Sequence, residues 1–353
     1  MNTSTQLDSR PCTFISSALI VLLLWISNSE FSQCVAQGSL TPPGAPAPTM
    51  KSLDQIEART AITNTASQAT ISQSGSYYLT GNLTVSSGNG IVIAANGVTL
   101  DLNGFTITST APSATGFGIL FSGYLSDVTV LHGHVRGGVT NNGSGIFSGP
   151  GFLHGIYGPS SKSIQISGVS VSGIMNNAIY LSQTDVTLVE SAMVHTTGNY
   201  GIYANTIKSS VAMDCGNTAI YGNQIADCRG ECVNNAIGVN ANTAQNSYGS
   251  SSNAFGLYAN SAQNCYGSSS NSVGLFASTA QNCYGYSLTA NGLVATAAQG
   301  CYGNSGAGIG LVAGTANTCV GYRPGGTAIQ ATVANGCYAN SGTNSITYKY
   351  NMP

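Results

Sequence analysis

A six-residue phrase returns every 18 residues through the C-terminal half of the chain, and that step restricts the folds open to it. It reads Ala244-Gln245-Asn246-Ser247-Tyr248-Gly249, then Ala262-Gln263-Asn264-Cys265-Tyr266-Gly267, then Ala280-Gln281-Asn282-Cys283-Tyr284-Gly285, and weakens gradually to Ala334-Asn335-Gly336-Cys337-Tyr338-Ala339. Cys265, Cys283, Cys301, Cys319 and Cys337 keep the step without a slip. A second phrase keeps it too, from Gly256-Leu257-Tyr258-Ala259 to Gly310-Leu311-Val312-Ala313. A short fixed period marks a solenoid, in which each repeat buries its apolar face only against its neighbours. Eighteen residues are too few for the helix pairs of α-solenoids, and the Gly, Ser and Asn content makes poor helix. A coil of short strands fits, each strand pairing in parallel with its equivalent one coil on, at a spacing of roughly 4.8 Å.

Equivalent residues then stack into ladders. Period-2 alternation puts Leu275 and Ala277 on one face and Phe276 on the other. Leu, Ala and Cys are expected inside, Asn bonded along the turns, and Tyr outside. Upstream, the aliphatic phrase recurs as Ala219-Ile220-Tyr221-Gly222, Gly201-Ile202-Tyr203-Ala204, Ala178-Ile179-Tyr180-Leu181 and Gly155-Ile156-Tyr157-Gly158. A second strand recurs as Val98-Thr99-Leu100, Val128-Thr129-Val130, Ile164-Gln165-Ile166 and Val186-Thr187-Leu188, at steps of 30, 36 and 22 residues. Early coils are therefore expected to be larger and to carry insertions. About a dozen coils follow from the count of phrases, hence a rod roughly 60 Å long.

The run from Ser74-Gly75-Ser76-Tyr77-Tyr78-Leu79-Thr80-Gly81-Asn82-Leu83 to Gly97-Val98-Thr99-Leu100-Asp101-Leu102-Asn103-Gly104 resembles the opening of secreted bacterial right-handed parallel β-helix proteins of the pectate-lyase-like superfamily. The resemblance covers residues 50–350 as a fold. It implies an all-β, right-handed parallel β-helix and says little of activity, because that superfamily holds lyases, hydrolases, phage spikes and non-catalytic surface proteins. A left-handed β-helix also uses 18-residue coils, but it calls for an aliphatic residue every six, and this chain offers about one per coil in its repeats.

Residues 1–37 read as an export signal: Arg10 precedes the apolar run Phe14 to Ile26, and Cys34-Val35-Ala36 offers a small-residue cleavage site. The run is short for a membrane span. Residues 38–49, with Pro42, Pro43, Pro46 and Pro48, read as a stiff spacer. Residues 50–353 read as one β-helix domain. In it, 50–60 is an amphipathic N-terminal cap and 346–353, with Tyr348-Lys349-Tyr350, a cover for the last coil. Charged residues make up 6% and the formal net charge is −2, which excludes the basic footprint of nucleic-acid binding. No cofactor is implied, and no membrane span in the mature chain.

Ten cysteines in an exported chain first suggest disulfides. Stacked neighbours sit about 4.8 Å apart at Cβ, however, where a disulfide needs about 3.8 Å. Cys265 to Cys337 are therefore expected as buried free thiols. Cys215 and Cys232 lie 17 residues apart, close to one coil, and are a disulfide candidate. Cys228 and Cys232 alone are a weak zinc signal with no His nearby, so no metal site is expected.

Tyr248, Tyr266, Tyr284, Tyr302 and Tyr338 form an expected outward ladder. It is read either as structural stacking or as an aromatic strip for sugar rings or a protein surface. His132, His134, Arg136 and His154, around the Gly-rich insertion 137–151 and with Asp101 and Asp127 nearby, are the candidates for acid/base work. The paired carboxylates of hydrolases and an acidic calcium cluster are missing. Asp214, Asp227, Arg229 and Glu231 read as solvated turn residues. The expected protein is a β-helix of the cell surface or extracellular matrix, non-catalytic, whose partner is polysaccharide or another cell-surface component. A polysaccharide lyase or glycoside hydrolase with a cleft at 101–154, and a self-associating rod, are the rivals.

Overall fold

A computed structural model describes residues 58–63 and 66–352. The expected leader and spacer, and the cap apart from its last residues, lie outside that range. Apart from a two-stranded hairpin, all strands join one 30-stranded sheet whose ladders are parallel. Strands that return to pair in parallel do so with right-handed connections, and the fold is a right-handed parallel β-helix. Among the described residues no helix is long and apolar enough to cross a membrane.

Three columns of strands wind round a single core. Sheet 1 stacks Leu100, Val130, Ile166, Val189, Ile207, Ile225, Ala244, Ala262 and onward to Ala334. Sheet 2 stacks Ile107, Val135, Val171, Val194, Ala212, Gly230, Gly249, Gly267 and onward to Gly321. Sheet 3 stacks Ile91, Ile119, Ile156, Ile179, Ile202, Ile220, Val239, Leu257 and onward to Ile329. Sheet 3 stays aliphatic, while the first two thin from Ile and Val to Ala and Gly. The core therefore tapers toward the C-terminus.

In the thin half, two backbones touch. A Cβ on Gly249 would lie 2.1 Å from the carbonyl oxygen of Gly256, and one on Gly256 would lie 2.3 Å from the amide nitrogen of Ser268. The glycines of the two repeating phrases thus face each other, and no side chain fits between them.

The six-residue phrase now has a position for each letter. Ala262 points inward on sheet 1 and Gln263 outward. Asn264 turns the corner in the left-handed region at φ 53°, Cys265 points inward again, Tyr266 faces out on sheet 2, and Gly267 meets sheet 3. The same corner residue recurs coil after coil as His132, Gly168, Ser191, Ser209, Asp227, Asn246, Asn282, Gly300, Thr318 and Gly336, all with φ between 46° and 63°. Asn, Asp and Gly tolerate that backbone best, which is why the corner is largely theirs. Amide stacks bond along the turns as expected: Asn264 Nδ2 donates to Asn246 Oδ1 (3.2 Å), and Asn260 donates to Asn242, which donates to Asn223 (2.9 Å each).

Two expectations change in the wide half. Thr187, not Val186, stands opposite Ile164; Val186 is 75% exposed, because one extra residue in that turn shifts the strand by one. The insertion closes as an antiparallel hairpin of Thr140–Asn141 with Phe147–Ser148, and folds along the rod rather than walling a cleft. Phe147 covers Gly198 and Gly216, and Asn234 Nδ2 donates to the Gly145 carbonyl at 3.1 Å.

At the C-terminus, Tyr338–Tyr350 forms the last strand, so the tail is a rung and not a separate segment. Asn344 stands in line with Ile329, and Lys349 in line with Ala334. Polar groups at core-facing positions on an edge strand discourage the addition of another strand.

Cys265, Cys283, Cys301, Cys319 and Cys337 are free thiols no more than 2% exposed. In the native protein they should resist maleimide over hours and label only after unfolding. Rapid native labelling would contradict the inward assignment.

Candidate functional site

Outward residues of sheet 2 form one column along the rod: His134, Ser170, Met193, Val211, Arg229, Tyr248, Tyr266, Tyr284, Tyr302, Val320 and Tyr338. The tyrosines from 248 to 302 stack with ring centroids 5.1, 4.8 and 5.0 Å apart and planes within 12° of parallel. Val320 interrupts the stack, leaving Tyr338 outside it and 51% exposed. Parallel rings at this distance use their faces on one another. What they present outward is edges and hydroxyls, so the stack is not a flat platform for sugar faces. Burial, and then the neighbouring phenols, raise the pKa of Tyr266. The Tyr284 hydroxyl accepts a hydrogen bond from Asn304 Nδ2 at 3.0 Å.

At the upper end of the stack, the Arg229 guanidinium covers the free face of Tyr248, 5.4 Å from its centroid, while its Nε donates to Glu231 Oε1 at 2.7 Å. Here the corner column and the tyrosine column border an open groove of about 550 Å³. Asp227, Arg229, Asn246, Tyr248, Asn264 and Tyr266 line it. Asp227 accepts from Asn246 Nδ2 at 3.0 Å. The groove thus combines aromatic edges, amides and a charge pair, and the repeat extends that chemistry coil by coil.

The histidine group does not converge. His132 is an exposed corner residue whose Nδ1 lies 3.6 Å from Asp101 Oδ1, and Asp101 is bonded to Arg59 at 2.9 Å on sheet 1. His134 and Arg136 point outward from sheet 2. His154 lies on sheet 3, 8% exposed, against Phe117 and Tyr157 with centroids 5.2 and 4.5 Å away. Burial lowers its pKa to about 4. The four residues occupy three different parts of the coil because the chain turns twice between 132 and 154. Among the described residues no group of three or more His, Cys, Asp or Glu could hold a metal. Cys215 and Cys232 do stand opposite each other in adjacent coils, beside an irregularity in register, and both are free.

Two features escaped the sequence. A second aromatic column runs on sheet 3 through Tyr157, Tyr180, Tyr203 and Tyr221, with centroids 5.6, 4.4 and 5.1 Å apart. Burial, and then its phenolic neighbours, push Tyr203 up to about 12. The aliphatic phrases already carried these tyrosines at every second position. His195, in turn, has its Nδ1 2.7 Å from Thr196 Oγ1, which donates to Asp214 Oδ2 at 2.8 Å, and Asn141 of the hairpin donates to the same carboxylate at 2.6 Å. Thr196 holds φ 56°, a rare backbone for a β-branched residue. This chain fixes the tautomer of one exposed imidazole but supplies no acid partner across from it.

No family model matches the chain, and no curated protein matches it. Among solved structures it is similar to the enzymatically active domain of tailspike protein 2 of bacteriophage CBA120, at 14% identity and a TM-score of 0.27. That likeness covers 83% of this chain and 42% of the phage chain, so the chain spans less than half of that protein's length.

Proposed function

We propose that this chain is an exported, non-catalytic β-helix of the cell surface or extracellular matrix, which binds polysaccharide lengthwise along sheet 2. The carrying observation is repetition. The same outward Tyr, with the same corner amide beside it, returns at every coil from Tyr248 to Tyr302. A polymer of repeating hydroxylated units can engage such a row many times over, so individually weak contacts add through effective concentration. Contact is through hydroxyls, ring edges and amides, with the Arg229 groove as the one differentiated subsite. The scattered histidines support the non-catalytic reading.

Replacing Tyr266, Tyr284 and Tyr302 by Ser tests this. Adhesion to an insoluble glycan should weaken by about 1 kcal/mol per lost aromatic contact, with the coil intact because Val320 already occupies one rung. Unchanged adhesion would leave the tyrosine column structural only.

The enzyme reading has one specific observation in its favour, the His195–Thr196–Asp214 chain. It predicts glycan turnover that His195→Ala abolishes. Self-association through the C-terminal end is disfavoured by the polar rung of Asn344 and Lys349.

A further inference from the structure

The column of thiols inside the thin half has no part in glycan binding, and its geometry suits a different ligand. Cys265, Cys283, Cys301, Cys319 and Cys337 occupy one inward position in five successive coils and touch along the stack through sulfur–sulfur hydrogen bonds. Rungs roughly 4.8 Å apart are too distant for a disulfide. Two metal–thiolate bonds of about 2.3 Å set end to end span about 4.6 Å, close to that rung spacing. Tetrahedral zinc needs four converging ligands, and among the described residues not even three converge. Linear coordination needs only two, and thiolate ligands select soft cations such as copper(I).

We propose that this column binds a soft monovalent cation with a filled d shell, copper(I) or silver(I), in linear two-coordination between the sulfurs of successive coils. Charge balances inside the apolar core if one sulfur of each pair binds as thiolate and the other as thiol. The cation enters, one S–H proton leaves to solvent, two metal–sulfur bonds form, and no electron moves. The native column is already polarised in that sense. Donation from its neighbours lowers the pKa of Cys301, while those bonds raise Cys283 and Cys319. Five sulfurs in a row make two separate pairs, so the column takes about two ions.

The test titrates the reduced full-length protein with silver(I). It reads metal retained after desalting, the thiolate-to-metal absorption band, and protons released. Two double variants keep the same number of cysteines. C283S/C319S leaves no two neighbouring sulfurs, and C265S/C337S leaves three in a row. Serine is tolerated, since Ser247 already sits buried on this column. The wild type should retain about two ions more than C283S/C319S and release about one proton for each, while C265S/C337S should retain about one. Equal retention by the two variants would overturn the proposal. A measurement on the wild type alone gives an independent sign. An ion held in the native column raises the unfolding temperature, whereas silver that binds only thiols exposed by unfolding lowers it, and a lowered temperature also refutes the site.

Discussion

Gly285→Val should destabilise the protein by about 3 kcal/mol or more, although valine is the native residue at the same rung of sheet 2 in two earlier coils. Val171 and Val194 sit there with at most 2% exposure, in coils whose interior is wide. At Gly285 the added Cβ would lie 2.3 Å from the carbonyl oxygen of Gly292 and 2.8 Å from Leu293 Cβ. The first of these is backbone held by the parallel ladder, so relief means separating sheet 2 from sheet 3. Overpacking of cores typically costs 1–3 kcal/mol, occasionally more, and a contact with backbone belongs at the upper end. Chemical denaturation of the variant against wild type measures the loss. A change under 1 kcal/mol would mean that the coils are not in backbone contact. Because each repeat is stabilised by its neighbours, the effect should also spread, loosening amide protection in the adjacent coils.

Acidification from pH 7 to about 4 should remove on the order of 3 kcal/mol of stability through His154 alone. Its imidazole is buried between Phe117 and Tyr157, with Nδ1 unpartnered, and desolvation holds its pKa near 4 against an ordinary 6.5. The unfolded chain takes up a proton as pH falls through 6.5, and the native chain does not until about 4. The unfolded state thus binds more protons within that window, and native stability falls there as pH falls. Below about 4 both states are protonated and the loss stops growing. A shift of about 2.5 units at 1.36 kcal/mol per unit sets the size. His154→Phe should flatten this part of the profile. Taking the difference between the two proteins cancels the carboxylates common to both. Parallel profiles for variant and wild type would show that His154 is not neutral in the fold.

The residues that made the architecture legible are those with one role per period. Gln263, Asn264, Cys265, Tyr266 and Gly267 each have a single environment, repeated without insertion, so periodicity alone assigns their direction. The inward thiols and the turn amides follow from that. The wide half lacks such a clock. One extra residue before Thr187 turned the apparent rung Val186 outward, a slip that period-2 reasoning cannot detect when both neighbours are plausible strand residues. The histidine cluster failed for a related reason. Closeness in sequence, from 132 to 154, is not closeness in a coil that turns two corners within that span. His195 was missed because its partner Asp214 lies 19 residues on, in the next coil, where only the register brings the two together. The taper was written in the sequence as Ile and Val giving way to Ala and Gly. It becomes visible only once those residues are placed on common rungs.

The central claim is that sheet 2 binds a glycan without cleaving it. The most direct measurement incubates the purified protein with a panel of plant and bacterial polysaccharides and scores retention and new chain ends in the same wells. Wild type, the Tyr266/Tyr284/Tyr302→Ser variant and His195→Ala are compared. The account predicts retention on at least one glycan with no new chain ends, weakened by the tyrosine changes and untouched by the histidine change. Chain ends that accumulate with wild type and vanish with His195→Ala would contradict it.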